Sequence, residues 1–313
     1  MTGGAGFIGT HLTLRLLKEG HQVTVLDDLS SGEDGRLRSA GAELVNGSVL
    51  DESLVLSLSS QCDHIVHLAA VVGVRLAMQR GIETLRVSFV GTDNVLRGAR
   101  AFCRETFIAS SSAVHGKLRK IPVREDDDSL LGGCDRASWL YSAAKLVEDH
   151  LAMAYFREHG IPVKLGRFFN VIGPFQKGVY GMVVPRFVQR ALRSEPLPVY
   201  GTGEQTRTFV HIEDALDGLQ LVMNRGESGR AYNIGGTEEI SILELAERII
   251  ALSGSSSDIR LIPFEEAFGA DFEETSRRIP DISRLRDLGY NPGRSLSGAL
   301  AEIIEHHRHS EGP

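Results

Sequence analysis

The sequence predicts an α/β fold: a doubly wound parallel sheet with a smaller C-terminal substrate-binding lobe. Three observations predict it. Short β-branched runs alternate with helix-patterned stretches through the first half, the pattern of parallel strands joined by crossover helices. A glycine-rich loop, Thr2-Gly3-Gly4-Ala5-Gly6-Phe7-Ile8-Gly9, stands at the start. After Asn170 the character changes, with Gly, Pro and aromatic residues clustered at 173–181 and 196–203. The expected division is therefore 1–169 for the sheet domain and 170–313 for the lobe, with about 208–235 returning to the sheet.

Each element has its own signal. Residues 11–19 are expected as a helix closed by Gly20. Residues 22–26 read as a strand ending in Asp27 and Asp28, and 64–68 as a strand leading into Ala69 and Ala70. A helix at 91–102 and a strand at 106–109 follow, the strand ending in Ser110, Ser111 and Ser112. Residues 141–159 carry apolar side chains at helical spacing, and 163–167 form the next strand. In the second half, 208–211 reads as a strand. Residues 241–252 read as a helix with Ser241 as its N-cap. A polar loop is expected at 253–257, and the tail from His306 is expected to fray. A glycine loop of this kind ordinarily follows a buried strand, yet only Met1 and Thr2 precede it. Upstream residues are therefore expected to be absent from this numbering.

Composition narrows the function. Apolar residues make up 42% of the 313 and charged residues 24%, as in a soluble enzyme with an ample core. A net charge of -7 excludes a general nucleic-acid binder, while leaving room for an anionic substrate held by a few local arginines. The three cysteines, Cys62, Cys103 and Cys134, are scattered, which suits a reducing cytoplasm and offers neither a metal site nor a disulfide framework. The longest apolar runs fall short of the about 20 residues a membrane span requires.

The chemistry concentrates at the predicted strand ends. Gly3, Gly6 and Gly9 let the chain turn sharply, approach a pyrophosphate and open a helix whose N-terminal amides, beginning at Phe7 and Ile8, face phosphates. Together with the alternating pattern this is a Rossmann arrangement. Asp27, eighteen residues beyond Gly9, is placed to accept both adenosine-ribose hydroxyls and to repel a 2′-phosphate, which favours NAD; Asp28 is the neighbouring candidate. Tyr141 and Lys145 lie four apart and share a helix face. A lysine ammonium, with the nicotinamide's positive charge adding to it, favours the phenolate and is expected to lower the tyrosine pKa from about 10 toward neutrality, giving a base for a sugar hydroxyl. One hydroxyl among Ser110, Ser111 and Ser112 is placed to relay that proton.

With these residues in hand, the chain resembles the extended short-chain dehydrogenase/reductase family, in the nucleotide-sugar epimerase/dehydratase branch typified by UDP-galactose 4-epimerase. The resemblance spans nearly the whole chain. It rests on the glycine loop, His67-Leu68-Ala69-Ala70, the Ser110 to Gly116 segment, Tyr141 to Lys145, Arg167 to Pro174, and Thr206 to His211. It implies NAD as cofactor, contacted also by Leu68, Ala69, Ala70 and Ser110. It implies Ser111, Tyr141 and Lys145 as the catalytic residues. Asn170 and Arg207 are implied to hold a substrate diphosphate, Val184 and Tyr200 to border the nucleobase, and Ser112 to meet the sugar. It also implies a homodimer paired through the helices at 91–102 and 141–159. Departures stand at His115 for a usual Tyr, at Ser48 for a usual acid, and at Ser88 for a usual Asn.

The reaction within the branch turns on two places. A 4,6-dehydratase needs an Asp-Glu pair where this chain has Ser112 and Ala113, and UDP-glucuronate decarboxylases carry Glu at the Ala113 position, so both reactions are disfavoured. Against that, Arg277-Arg278-Ile279-Pro280-Asp281 resembles the decarboxylase segment whose arginine lies near the sugar carboxylate. Three roles are open for Arg278: gripping a C6 carboxylate, binding the diphosphate, or sitting in solvent. The expected activity is an NAD-dependent 4-epimerase of a UDP-hexose or UDP-hexuronate, working through a transient 4-keto sugar. UDP-glucuronate decarboxylation is the alternative, and a non-catalytic NAD-binding regulator is the alternative from another class.

Overall fold

The alternating pattern resolves into parallel strands whose order reverses near the chain start. The computed structural model describes residues 1–178, 181–269 and 272–310. Strand Thr24–Asp27 pairs in parallel with Glu43–Asn46. Strands His64–His67, Glu105–Ser111, Val163–Phe168 and Arg230–Ile234 pair in parallel in that spatial order. Thr2 bridges both Leu26 and His67 and so joins the two sets. The chain thus leaves the centre in both directions, and the crevice at that switch lies beyond the carboxyl ends of the strands. Arg230–Ile234 lies at the edge of this set, beside Val163–Phe168.

Both faces of the sheet are covered, which is why its strands read as almost continuous apolar runs. Successive side chains point to opposite faces. Val66 and Phe107 pack with Leu12 and Leu216 under the helices Phe7–Lys18 and Ile212–Arg225. On the other face Ile65 packs with Val95 and Ala99, and Ile108 packs with Leu96 and Ala152, under the helices Thr92–Phe102 and Leu140–His159. A separate core unites Phe187, Leu245 and Leu300 from the helices Val183–Leu192, Ile242–Ser253 and Leu296–Ser310.

Most expected elements appear with shifted ends. The first helix starts at Phe7 because the glycine loop runs straight into it, with Gly6 as N-cap. The helix expected at 91–102 begins at Thr92 and is preceded by a π-helical turn, Val87–Gly91. Ser241 caps its helix as expected, in a reciprocal box with Glu244. The strand expected at 208–211 is two: Thr206–Thr208 pairs with Glu239–Ser241, while Val210–His211 pairs with Val171–Ile172. The tail corrects another expectation. The last helix runs on to Ser310, because Leu300, Ile303 and Ile304 dock into the second core and Arg308 donates to the Ser253 carbonyl at 2.8 Å. Residues 179 and 180, within the expected loop at 173–181, lie outside the described residues.

Candidate active site

The glycine loop closes the sheet's central crevice. Gly3 has φ +69°, and a Cβ there would lie 2.6 Å from the Ala69 backbone nitrogen, so a side chain is excluded on both counts. A Cβ on Gly9 would collide with the Gly3 carbonyl, which locks the first helical turn against the loop. Gly6 by contrast meets nothing closer than 3.3 Å, and the helix N-terminus beside it, at Phe7 and Ile8, opens into the cavity. At the end of the next strand Asp27 accepts N–H bonds from Ala5 and Leu29, each at 2.9 Å. Burial pushes its carboxyl above the usual carboxylate value, against those two bonds. The lone pairs left over are available to ribose hydroxyls. Asp28 is exposed and takes the Ser30 N–H at 3.0 Å instead.

Facing the loop, the long helix Leu140–His159 presents Tyr141 and Lys145. Lys145 is 3% exposed; its Nζ donates to the Ala109 carbonyl at 3.0 Å and to Glu148 Oε2 at 2.8 Å. The Ser111 hydroxyl lies against the Tyr141 phenol and favours its ionised form, as do the charges of Lys145 and Arg278. These do not prevail. The surrounding protein holds water off the phenol and leaves its pKa above the ordinary tyrosine value, helped by the negative charge of Glu148. Among the protein's own groups, then, burial outweighs the pull of Lys145 on Tyr141. Ser110 Oγ is buried beside this centre without a partner among the described residues, and buried Ser112 borders it.

The second lobe supplies the far wall. Val184 is buried at the base of helix Val183–Leu192, and Tyr200 Oη accepts from Arg186 Nη1 at 2.8 Å, with the guanidinium 4.6 Å over its ring. Asn170 Nδ2 donates to the Thr208 carbonyl at 2.7 Å. Arg207 pairs with Glu274 and donates to the Thr206 carbonyl at 2.7 Å. Arg278 stands opposite Arg207 in the ladder between Arg277–Arg278 and Thr206–Thr208. Its Nη2 donates to Thr275 Oγ1 at 3.0 Å, while its Nε is buried with no hydrogen-bond partner among the described residues. Burial and the neighbouring Arg207 pull its pKa down to about 10. Arg278 is thus part-buried, facing the cavity between Arg207 and Thr275.

Every residue given a catalytic, cofactor-binding or substrate-binding role from the sequence lines a single cavity of about 640 Å³, Leu68, Ala69 and Ala70 included. The cavity also holds residues that sequence reasoning missed: Arg186, Phe264, Phe268 and Glu274. Arg186 had a signal, two positions beyond Val184 on the same helix. The aromatic pair had none, because its segment joins the site only through the fold. Glu148 was missed as well, although it directly follows the Tyr141–Lys145 motif.

The site fits a dinucleotide. The side-chain-free approach at Gly3 and Gly6, the buried Asp27 and the unpartnered Ser110 hydroxyl form a cradle that a Cβ would fill and that needs polar partners. Residues 1–235 match the model of the NAD dependent epimerase/dehydratase family.

The chain belongs to that family.

NAD is accordingly its cofactor, with nucleotide sugars as the substrate class. Among its relatives is the UDP-N-acetyl-alpha-D-glucosaminuronate decarboxylase of Bacillus cytotoxicus, 38% identical over 99% of this chain and 98% of the other. UDP-glucuronic acid decarboxylase 1 of Danio rerio is 33% identical, over 98% of this chain and 71% of that protein. Among solved structures, UDP-glucuronic acid 4-epimerase of Bacillus cereus, in complex with UDP-glucuronic acid and NAD, superposes with a TM-score of 0.88 at 26% identity, over 99% of this chain and 98% of the other. In this family member no described helix is long and apolar enough to cross a membrane.

Proposed function

We propose that this family member oxidises a UDP-linked hexuronate at C4 and releases its 6-carboxylate as carbon dioxide, leaving a UDP-pentose. The observation that carries the reading is Arg278: a cavity-facing guanidinium with a buried, unpartnered Nε, close enough to Tyr141 for its charge to act on the phenol. An arginine desolvated in this way calls for an anion, and a carboxylate matches its fork. A neutral hexose would leave it unpaired. The B. cytotoxicus decarboxylase, similar over nearly its whole length, supports the same substrate class.

In this reading Asp27, the glycine loop and Lys145 hold NAD, which when bound supplies reversible hydride acceptance at C4 and is neither gained nor lost over a cycle. Tyr141 takes the C4 hydroxyl proton, relayed through Ser111. The resulting 4-ketone makes the C6 carboxylate that of a β-keto acid. The C5–C6 bond breaks, its electron pair moves through C5 to O4, and C5 then takes a proton from water. Tyr141 returns its proton to O4 as C4 is reduced. The net change is one carboxylate and one proton converted to a C–H bond and carbon dioxide. Arg207, Asn170 and Arg186 grip the diphosphate and nucleobase end, Arg207 exchanging Glu274 for phosphate oxygens. Ala113 removes the acid that dehydration needs, but a β-keto acid loses carbon dioxide without one.

That same alanine favours a second reading, 4-epimerisation of the hexuronate or of a neutral UDP-hexose, in which the ketone turns over and is reduced on its other face. The B. cereus structure supports it. One assay separates the readings: incubation with NAD and UDP-glucuronate, UDP-N-acetylglucosaminuronate or UDP-glucose, read by proton NMR of the sugar. A pentose and carbon dioxide are expected from a uronate. An inverted H4 coupling at unchanged mass establishes the epimerase instead. No turnover of any of the three fits the NAD-binding regulator.

The reading extends to a homodimer, to a division of the chain at residue 169 and to the cytoplasm. The exposed Phe102 and Val147, on the helices Thr92–Phe102 and Leu140–His159, support the first. The separate core of Phe187, Leu245 and Leu300 supports the second, and the unpaired Cys62, Cys103 and Cys134 support the third.

A further inference from the structure

Behind the Tyr141–Lys145 pair sits a carboxylate with no part in the chemistry above. Glu148 is 0% exposed on the same helix, one turn beyond Lys145. Its Oε2 accepts the Lys145 ammonium at 2.8 Å, while its Oε1 is buried and has no hydrogen bond among the described residues. An acid buried this deeply is costly and is kept where its charge is used. Packing alone would be served by an apolar side chain. The neighbouring acid, Asp149, is spent elsewhere, accepting from Arg167 Nε at 3.0 Å.

We propose that Glu148 is a positioning residue that sets the proton affinity of Tyr141 through Lys145, the acid, ammonium and phenol sharing one face of the helix Leu140–His159. The geometry assigns Lys145 two fixed partners, Glu148 and the Ala109 carbonyl, which hold the ammonium in place. Its charge favours the phenolate, and Glu148 cancels part of that charge. The departure at Ser88 belongs here as well. Burial raises the Glu148 pKa, and against it Lys145 and the buried Ser88 hydroxyl, on the turn Val87–Gly91 that packs on this helix, favour the ionised carboxylate. The other groups acting on these three are few. Asp149 opposes the charge of Glu148 from the same helix, and His67, on strand His64–His67, is kept neutral partly by Lys145. Arg278 reaches Tyr141 from the second lobe.

The consequence is directional. With Glu148 ionised, Tyr141 ionises later and Lys145 keeps its proton to higher pH. Replacing it by a neutral amide strengthens the ammonium's hold on the phenolate and makes the ammonium easier to lose. Both limbs of a pH–rate profile then move to lower pH.

The inference rests on Tyr141 being the base only for its catalytic consequence, so its test is read on the protein without substrate. The near-ultraviolet absorbance of tyrosinate is titrated in the parent protein and in E148Q, each against the same protein carrying Tyr141→Phe, so that the difference reports Tyr141 alone. In E148Q the Tyr141 midpoint is expected to fall by about one pH unit, tenfold in its ionisation constant, and E148D is expected to restore it. A midpoint that stays or rises in E148Q overturns the proposal. Should E148Q fail to fold, NMR of the labelled lysine side-chain nitrogen in the parent protein carries the test. The Lys145 ammonium is expected to outlast the ionisation of Tyr141, and loss of its proton first overturns the proposal. Product assays do not enter, so failure here is distinct from failure of the C4 chemistry.

Discussion

At the scale of single residues, the site is governed by what burial does to charge. Arg278 illustrates it. In water its guanidinium would interact weakly with anything, but with its Nε shut off from solvent and unpartnered it gains most from an anion in the cavity. Arg278→Gln is therefore expected to cut kcat/KM for UDP-glucuronate by about a hundredfold or more, the loss of a charge-assisted pair worth roughly 3 kcal/mol. Any activity on UDP-glucose should change little. Steady-state kinetics on both substrates check this, and equal losses on the two would remove the carboxylate role. The sequence made Arg278 visible but left three roles open. Its buried Nε, without a hydrogen bond among the described residues, and its place beside Arg207 came only from the fold.

At the scale of elements, the turn from Thr2 into the helix Phe7–Lys18 decides whether a cofactor site exists at all. The sequence announced this turn, because three glycines at that spacing have few other uses, and the structure gives each a separate reason. Gly3→Ala must place a Cβ against the Ala69 backbone at a φ that alanine disfavours, and backbone cannot move aside cheaply. It is expected to destabilise the fold by about 1–3 kcal/mol and to weaken NAD binding at least tenfold, measured by denaturant unfolding and by calorimetric titration. The long helix Leu140–His159 was equally legible, since its apolar spacing, its Gly160 stop and the Tyr141–Lys145 pair agree with one another. The split of the expected strand at 208–211 was not legible, because a short apolar run says nothing of which partner each half will find.

At the scale of the whole molecule, two buried histidines tie stability to pH. His67 joins Thr2 and Thr92 through its two ring nitrogens, at 2.7 and 3.1 Å. Burial lowers its pKa to about 3, and that of His115 likewise to about 3. In the unfolded chain both return to the ordinary histidine value of about 6.5, so between these limits the unfolded state binds more protons. The stability they confer is complete above about pH 6.5 and is lost as the pH falls toward 3, at up to about 1.4 kcal/mol per pH unit for each histidine. Thermal unfolding between pH 7 and pH 4 is expected to show the decline, and His67→Gln to make it shallower. A melting temperature that is flat over that range would contradict the burial of these rings.

The sequence by itself determined the sheet, the cofactor loop, the Tyr141–Lys145 pair and the branch of chemistry. Each of these is a local pattern: a spacing of glycines, a helical period, or a motif at a strand end. Tertiary structure decided what depends on residues far apart in the chain. It brought Arg278 beside Arg207, set Phe264 and Phe268 into the cavity wall, docked the last helix through to Ser310, and placed Ser88 against Glu148. It also set the burial of the Tyr141 phenol against the pull of Lys145. The reason is the same throughout: desolvation is a property of the packed molecule, and no window of sequence contains the atoms that exclude the water.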